Sequence, residues 1–499
     1  MTTKTQIDWQ ALSQKLRLRT QAFIDGQYVD AMDGATFESI NPRTGQAVSK
    51  VARCGSADVD RAVAAAKKAF DSGVWAARSP RERKQVLARL SDLILQHADE
   101  LAWLDSADMG KPVNDALSID IPGAAGVFAW YAESADKVYD QIAPLGPDVH
   151  ATITREPVGV VAAVVPWNFP LDMAAWKLAP ALVCGNSVVL KPAEQSPHSA
   201  LRLAELALQA GVPAGVLNVV PGLGPEAGQA LGRHPDVASL TFTGSTEVGK
   251  LFQRYAGESN MKMVWLEAGG KSANLIFDDC ADLDLAAAKA AFGFCFNQGE
   301  VCSANTRLLV QRGVWDRFME RLLVHLKSWQ PGDPLNADSR MGALVDRGHA
   351  NRVMQFIESG RREGGSVLAG GQRLTIGASD CYVQPTVFTG LGLEATLVRE
   401  EVFGPVAVAT PFETEAQALQ WANSSPYGLA ASVWTDDLKR AHRVARALRV
   451  GTVSVNTVDA LDPCVPFGGF GQSGFGRDLS LHALDKFTQL KTSWFDLKT

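Results

Sequence analysis

The sequence predicts an α/β fold with a parallel sheet, and three observations carry that prediction. Residues 158–165, 186–190, 216–220 and 239–242 read as short strands, the first of them apolar throughout, as strands are when helices cover both faces of a sheet. Between the second and third, Ser196-Pro197 starts a helix that stops at Gly211, so strand and helix alternate. Each strand then runs into polar or turn residues: Pro166-Trp167-Asn168, Lys191-Pro192-Ala193-Glu194, Pro221-Gly222 and Thr243-Gly244-Ser245. Ligands on such sheets sit at the carboxyl ends of the strands, and this is the layout of a dinucleotide site.

Ahead of the sheet, residues 23–29 alternate around Asp25-Gly26 and read as a hairpin. Ser56 reads as the cap of a helix with Asp58 and Asp60 in its first turn, ending near Gly73. Ser79-Pro80-Arg81-Glu82 is a capping box with proline at the first helical position. Val86, Leu87, Leu90, Leu93, Ile94, Leu101 and Leu104 then keep helical spacing. A further helix is expected over 123–137, its Phe128, Trp130 and Tyr131 serving as packing. After the first sheet comes a second α/β unit, with strands expected over 271–277, 307–311 and 406–410 and helices over 315–329 and 349–360.

The chain has 499 residues, enough for two or three domains. Its net charge of −6 is mild, so no nucleic-acid partner is expected. The seven cysteines contain no CxxC pair, and they read as reduced thiols of a cytoplasmic protein. The first twenty residues carry Lys4, Asp8, Lys15, Arg17 and Arg19 and no apolar stretch of a secretory leader. No apolar run reaches membrane-spanning length; the richest region is broken by Asp172 and Lys177. No histidine sits in a metal-ligand spacing, so no metal is expected.

One cysteine has a setting suited to chemistry. Cys302 follows a helical run over 282–296 and precedes the 307–311 strand, which holds it on a loop facing a cleft. Cys295, between Phe294 and Phe296, reads as a buried hydrophobe instead. Glu300 is expected to disfavour a thiolate two residues away. Two near-miss motifs lie elsewhere. Gly244-Ser245-Thr246-Glu247-Val248-Gly249-Lys250 begins like a phosphate-binding P-loop, but Leu251 stands where that motif holds magnesium. A P-loop NTPase is therefore disfavoured, although the helix start still suits a phosphate. Gly222-Leu223-Gly224-Pro225-Glu226-Ala227-Gly228 is a dinucleotide fingerprint with one residue too many.

Seven segments in order make the sequence resemble the NAD(P)-dependent aldehyde dehydrogenase superfamily over nearly its whole length. They are Pro166-Trp167-Asn168-Phe169-Pro170, Lys191-Pro192-Ala193-Glu194, Phe242-Thr243-Gly244-Ser245, Leu266-Glu267-Ala268-Gly269-Gly270-Lys271, Gln298-Gly299-Glu300-Val301-Cys302, Glu400-Glu401-Val402-Phe403-Gly404-Pro405-Val406 and Pro466-Phe467-Gly468-Gly469. The resemblance implies a Rossmann-type NAD-binding domain over 1–139 and 158–270, an α/β catalytic domain over 271–480, and a small β oligomerisation arm over 140–157 and 481–499. It implies that Cys302 is the nucleophile, that Asn168 and the Cys302 backbone N–H bind the oxyanion, and that Glu267 is the general base. It places Val165, Pro166, Trp167, Lys177, Lys191, Glu194, Gly224, Gly244, Ser245, Leu266, Gly269, Glu401 and Phe403 at the cofactor. Phe169, Asp172, Met173, Trp176 and Phe467 border the aldehyde.

These residue types suit the chemistry. A thiolate adds to the aldehyde, its oxyanion needs fixed donors, and the later thioester needs a water activated by a carboxylate. A non-catalytic relative would be expected to lack Cys302 or Glu267, and both are present. A CoA-acylating enzyme would not need Glu267. NAD is expected over NADP, since Glu194 accepts from both ribose hydroxyls and repels a 2′-phosphate, with nearby Lys191 making the exclusion partial. A homodimer or homotetramer is expected, with 487–495 pairing against a neighbouring subunit. Within the superfamily, residues 259–262, 264–267 and 476–484 resemble the γ-glutamyl-γ-aminobutyraldehyde dehydrogenase branch, which serves polyamine breakdown. The loop 456–464 departs from that branch. So does Asp172, which reads either as a helix-start acid or as the partner of a cationic substrate. A broad-specificity aliphatic or hydroxy-aldehyde enzyme is the alternative.

Overall fold

The structure is a computed structural model that describes residues 7–498; Lys4 and the outermost residues of the ranges 1–139 and 481–499 lie outside them. Five parallel strands form the middle of the first sheet, in the spatial order Leu217–Val219, Ser187–Lys191, Val160–Val164, Ser239–Gly244 and Met263–Ala268. The hairpin Ala22–Ile24 and Gln27–Val29 extends one edge, and the short strand Gly474–Phe475 closes the other. Val160–Val164 is buried at every position. Val161 and Ala163 join the core beneath the helices Pro80–Gln96, Ile121–Ser134 and Pro170–Val183, while Val160, Ala162 and Val164 face the helix Ser56–Asp71. Burial on both faces is why this segment shows no polar alternation.

The second sheet has seven strands in the order Ser366–Ala369, Thr386–Thr389, Val406–Phe412, Arg307–Gln311, Ala273–Ile276, Ala430–Trp434 and Thr452–Val455. All neighbours but the first pair are parallel. The carboxyl ends of Met263–Ala268 in one sheet and the segment before Arg307–Gln311 in the other meet at the site described below.

Local chemistry decides where the elements begin. Ser79 caps Pro80–Gln96 by accepting from the Glu82 N–H, and Glu82 accepts in return from the Ser79 N–H at 2.8 Å. Ser56 is not the cap of its helix. Gly55 holds that position, because Asp58 turns back to accept its N–H at 2.9 Å, and Ser56 is already helical. The apolar spacing over 86–104 spans two helices, Pro80–Gln96 and Ala98–Met109, which break at His97 (φ −106°, ψ 23°).

The arm is a three-stranded antiparallel sheet. Strand Thr488–Asp496 pairs antiparallel with Val149–Pro157 of its own chain, and Gln141–Ile142 pairs with the other side of Val149–Pro157. Nine successive residue pairs are satisfied internally. The outer edge of Thr488–Asp496 is left open, with Leu490, Trp494 and Phe495 exposed. Ala483, Leu484 and Phe487 pack into the core of the first sheet. No helix of the described residues is long and apolar enough to cross a membrane.

Candidate active site

Cys302 is delivered by the turn between the helix Leu283–Cys295 and the strand Arg307–Gln311. Asn297 (φ 48°), Gln298 (φ 58°) and Gly299 (φ 73°) are left-handed in succession, an unfavourable path for the first two. Hydrogen bonds hold it there. Asn297 Nδ2 donates to the carbonyls of Asn168 (2.9 Å) and Glu300 (3.2 Å), and the Gly342 N–H donates to Gln298 Oε1 (2.9 Å). A Cβ at Gly299 would lie 2.4 Å from the Gly404 carbonyl, so this turn requires glycine. Asn168 Nδ2 donates to the Glu300 carbonyl at 2.8 Å. That bond fixes the amide beside the loop and uses one of its two N–H donors.

Glu300 does not oppose the thiolate as expected. It points away from Cys302, its Oε1 accepting from the Val345 N–H at 3.0 Å, and burial pushes its carboxyl well above the usual range. The thiol is pushed up first by its own burial and then by the charges of Asp459, Glu401 and Glu267. Glu267 is the penultimate residue of the strand Met263–Ala268. Burial, and next the charge of Asp478, hold it well above the usual carboxylate range, and its Oε2 has no hydrogen-bond partner. Glu401 accepts from the Gly270 N–H at 3.0 Å and is pushed up to about 7 by burial. A Cβ at Gly269 would stand 2.0 Å from Glu401 Oε2, so only glycine admits that carboxylate. Carboxylates raised toward neutrality are suited to accept a proton.

One cavity of about 550 Å³ gathers Cys302 with Pro166, Trp167, Asn168, Phe169, Asp172, Met173, Trp176, Gly244, Ser245, Glu267, Gly269, Glu401, Phe403 and Phe467. Its volume is that of a small-molecule site. Val165, Lys177, Lys191, Glu194, Gly224 and Leu266 do not line it. Lys191 and Glu194 form a group of their own, the Lys191 ammonium donating to the Pro192 carbonyl (2.8 Å) and Glu194 Oε2 (3.3 Å), with its stem beside the Gly224–Gly228 turn. Val165 donates its N–H to the Lys191 carbonyl at 3.1 Å. Leu266 packs under Gly249, one turn into the helix Thr246–Gly257. Lys177, expected at the cofactor, is instead fully buried and binds Asp478, which Lys486 also binds. A buried ammonium needs such a partner.

The two ends of the cavity differ. At one, Gly244 leads to Ser245, whose hydroxyl caps Thr246–Gly257 by accepting from the Val248 N–H at 3.3 Å. That helix start, Glu401 and the pair Trp167–Phe403 (ring centroids 5.3 Å apart) suit the phosphates, ribose and ring of a dinucleotide. The other end has aromatic walls, with Trp176 edge-on to Phe467 at 5.4 Å and Phe169 against Phe296 at 6.2 Å. Asp172 stands in that wall. Its Oδ1 is buried without a hydrogen bond, and burial, then the charge of Asp120, push it up to about 8.

Several lining residues carried no sequence signal. Asp120, buried and ion-paired with Lys111, ends the π-turn Ala116–Asp120. His349 donates from Nε2 to the Phe403 carbonyl at 2.6 Å and lies edge-on to Trp167. Asp459 lies in the 456–464 loop, where Asn456 (φ 54°) and Asp459 (φ 49°) are left-handed, and the Asn and Asp types there were the available hint of a turn. Among the described residues no three His, Cys, Asp or Glu side chains are grouped to hold a metal ion.

Comparison with known proteins accounts for the convergence of these residues. The chain is 52% identical over 490 residues to the NADP/NAD-dependent aldehyde dehydrogenase PuuC of Escherichia coli K12, covering 98% of each. It is 51% identical to the P. syringae AldA indole-3-acetaldehyde dehydrogenase solved with NAD+ and IAA, covering 99% of this chain and 100% of that one with a TM-score of 0.98. The γ-glutamyl-γ-aminobutyraldehyde dehydrogenase of Burkholderia cenocepacia J2315 is also 51% identical, with the same coverage and a TM-score of 0.97. The model of the aldehyde dehydrogenase family matches residues 28–493. This chain belongs to the aldehyde dehydrogenase family.

Proposed function

We propose that this chain oxidises an amine-bearing aldehyde to its carboxylic acid, with NAD as the hydride acceptor. The observation that carries the reading is the meeting of Cys302, the Asn168 amide and Glu267 in one cavity, with Asp172, whose Oδ1 is buried without a hydrogen bond, in its aromatic wall. The Cys302 thiol gives its proton to Glu267, which passes it to solvent, and its sulfur bonds to the aldehyde carbon. The oxygen that gains negative charge is held by the Asn168 side-chain N–H and the Cys302 backbone N–H. NAD, when bound, supplies the acceptor for the hydride, which leaves a thioester on Cys302. Glu267 takes a proton from water as it attacks that thioester, the carbon–sulfur bond breaks, and the acid leaves.

Trp167, Ser245, Glu401 and Phe403 fit the nicotinamide half of the cofactor, and Lys191, Glu194 and Gly224 its adenosine half. NAD is the preferred form and NADP is tolerated, because Glu194 repels a 2′-phosphate while Lys191, 3.3 Å away, tempers its charge. The PuuC relative is NADP/NAD-dependent, which agrees with partial discrimination. A higher catalytic efficiency with NADP than with NAD would count against this choice.

The amine is read from Asp172. A carboxylate without a partner in an apolar wall is costly unless a cation arrives to pair with it. The B. cenocepacia protein acts on γ-glutamyl-γ-aminobutyraldehyde, which supports a substrate from polyamine breakdown. A neutral aromatic aldehyde is the second reading, favoured by the Trp176–Phe467 wall and by the indole-3-acetaldehyde enzyme of P. syringae. The first test is absorbance at 340 nm with NAD and a panel of aldehydes. Silence across the panel would sink the reading.

The division of labour follows the ranges given above: cofactor binding by 1–139 and 158–270, the nucleophile in 271–480, and assembly by 140–157 and 481–499. The exposed edge of Thr488–Asp496 supports a homodimer or homotetramer; a one-chain mass by light scattering at micromolar concentration would refute it. Seven unpaired cysteines support a cytoplasmic setting, and recovery of the protein in another cell fraction would contradict it.

A further inference from the structure

The cavity holds a second acid whose position the mechanism does not use. Asp459 accepts the Ser303 hydroxyl at 2.6 Å, and Ser303 adjoins the nucleophile Cys302. Asp172 stands on a different wall. Its Oδ1 lies 3.3 Å from where a Cβ at Gly123 would be, against the helix Ile121–Ser134. The two carboxylates therefore approach the same cavity from the loop after Thr452–Val455 and from the helix Pro170–Val183. They also differ in their ties to the nucleophile: Asp459 holds the hydroxyl of Ser303, the residue after Cys302, whereas Asp172 lies against the helix Ile121–Ser134.

Each acid has a different claim to a cation. Of the other carboxylates lining this end, Asp120 is already ion-paired with Lys111, and Asp462, on the same loop as Asp459, accepts the Cys464 N–H at 2.9 Å. Asp459 receives one hydroxyl donor at Oδ1, and among the described residues no Lys, Arg or His forms an ion pair with either Asp459 or Asp172. A carboxylate has about four acceptor positions, so one hydroxyl leaves Asp459 most of its capacity. The aromatic rings Phe169, Trp176, Phe296 and Phe467 line the same cavity, and an apolar lining strengthens charge pairing.

We propose that Asp459 is a specificity-determining residue that sets the length of the accepted aminoaldehyde, forming an inner cation station beside the nucleophile while Asp172 forms the outer one. This rests on the amine reading above. An ammonium a few bonds from the aldehyde carbon reaches Asp459, while one on a longer chain reaches Asp172. A site built to bind a polar group discriminates strongly against analogues that leave it unpaired, so the two stations sort substrates by chain length. Asp459 touches the substrate's ammonium and no reacting atom.

The test compares the wild-type enzyme with Asp459→Asn and Asp172→Leu, each saturated with NAD. The substrates are 3-aminopropionaldehyde, 4-aminobutyraldehyde, propanal and butanal. Asp459→Asn keeps the side-chain shape and still accepts the Ser303 hydroxyl, and unchanged NAD affinity by fluorescence checks its fold. The expected result is a KM for 3-aminopropionaldehyde raised about tenfold or more by Asp459→Asn relative to its effect on propanal, with 4-aminobutyraldehyde changed less. Asp172→Leu should reverse the order of the two aminoaldehydes. Equal effects of Asp459→Asn on both lengths, or an equal loss with propanal, would overturn the inference, the latter by making Asp459 a positioning residue for the Cys302 loop. A wild-type enzyme that does not prefer aminoaldehydes over alkanals of equal length would instead remove the amine reading itself.

Discussion

The two ends of the one cavity are built by different means. At the cofactor end, Trp167, Gly244, Ser245 and Gly269 follow directly from the carboxyl ends of Val160–Val164, Ser239–Gly244 and Met263–Ala268. Their placement is fixed by buried strands and by short-range geometry, such as the 2.0 Å that separates a Cβ at Gly269 from Glu401. At the aldehyde end, Asp120, Asp172, Asp459 and Phe467 come from a π-turn, a helix, and two loops late in the chain. Nothing local ties these four together, and the cavity alone makes them neighbours. The first end is thus shaped by the fold, and the second is free to vary on the same fold. We assign the cofactor to the first and substrate choice to the second, with Cys302 between them.

That contrast can be broken at three points. The largest effect is expected from Cys302→Ala, between the two ends. It should lower turnover by about 10⁴-fold or more while NAD affinity, read by fluorescence titration, stays within a few-fold. Loss of NAD affinity together with activity would show that the loop supports the cofactor end as well.

Asp172→Leu comes next. KM for 4-aminobutyraldehyde should rise by about 10- to 100-fold, the loss of a desolvated charge pair, and butanal should be spared. Parallel changes in both, or none in either, would reduce Asp172 to a helix-start acid.

The smallest effect is in pH. Asp172 is pushed up to about 8, so it is largely neutral at pH 7 and ionised at pH 9, whereas an alkylammonium stays charged across that range. KM for an aminoaldehyde held at Asp172 should therefore fall by about tenfold from pH 7 to pH 9, the ratio of ionised fractions. The same profile for butanal should not show that fall, and Asp172→Leu should remove it. A KM for the aminoaldehyde that rises over this range would reverse the sign and reject the assignment.

The same contrast explains what the sequence could tell. The 158–165 strand, the capping box at Ser79 and the stop at Gly211 were legible because each depends on neighbours within a few residues. So was the setting of Cys302 on a loop between a helix and a strand. Failures came where distant partners decide. Glu300 sits two residues from Cys302, yet Val345 captures its carboxylate. Lys177 lies on the helix that lines the cavity, yet Asp478, 301 positions away, takes its ammonium inward. Asp459 depends on two left-handed residues and on Ser303, 156 positions earlier, and no local pattern foretells that meeting.

The most direct measurement is the ratio of kcat/KM for 3-aminopropionaldehyde and 4-aminobutyraldehyde to that for propanal and butanal, with wild-type enzyme, saturating NAD and pH 8, followed at 340 nm. Two carboxylates in a largely aromatic cavity should favour the cationic member of each equal-length pair by about 10²-fold, the discrimination expected when a site's polar group would otherwise go unpaired. Ratios near one for both pairs, with robust oxidation of the alkanals, would leave an aldehyde dehydrogenase whose acidic end plays no part in choosing its substrate, and would contradict the account.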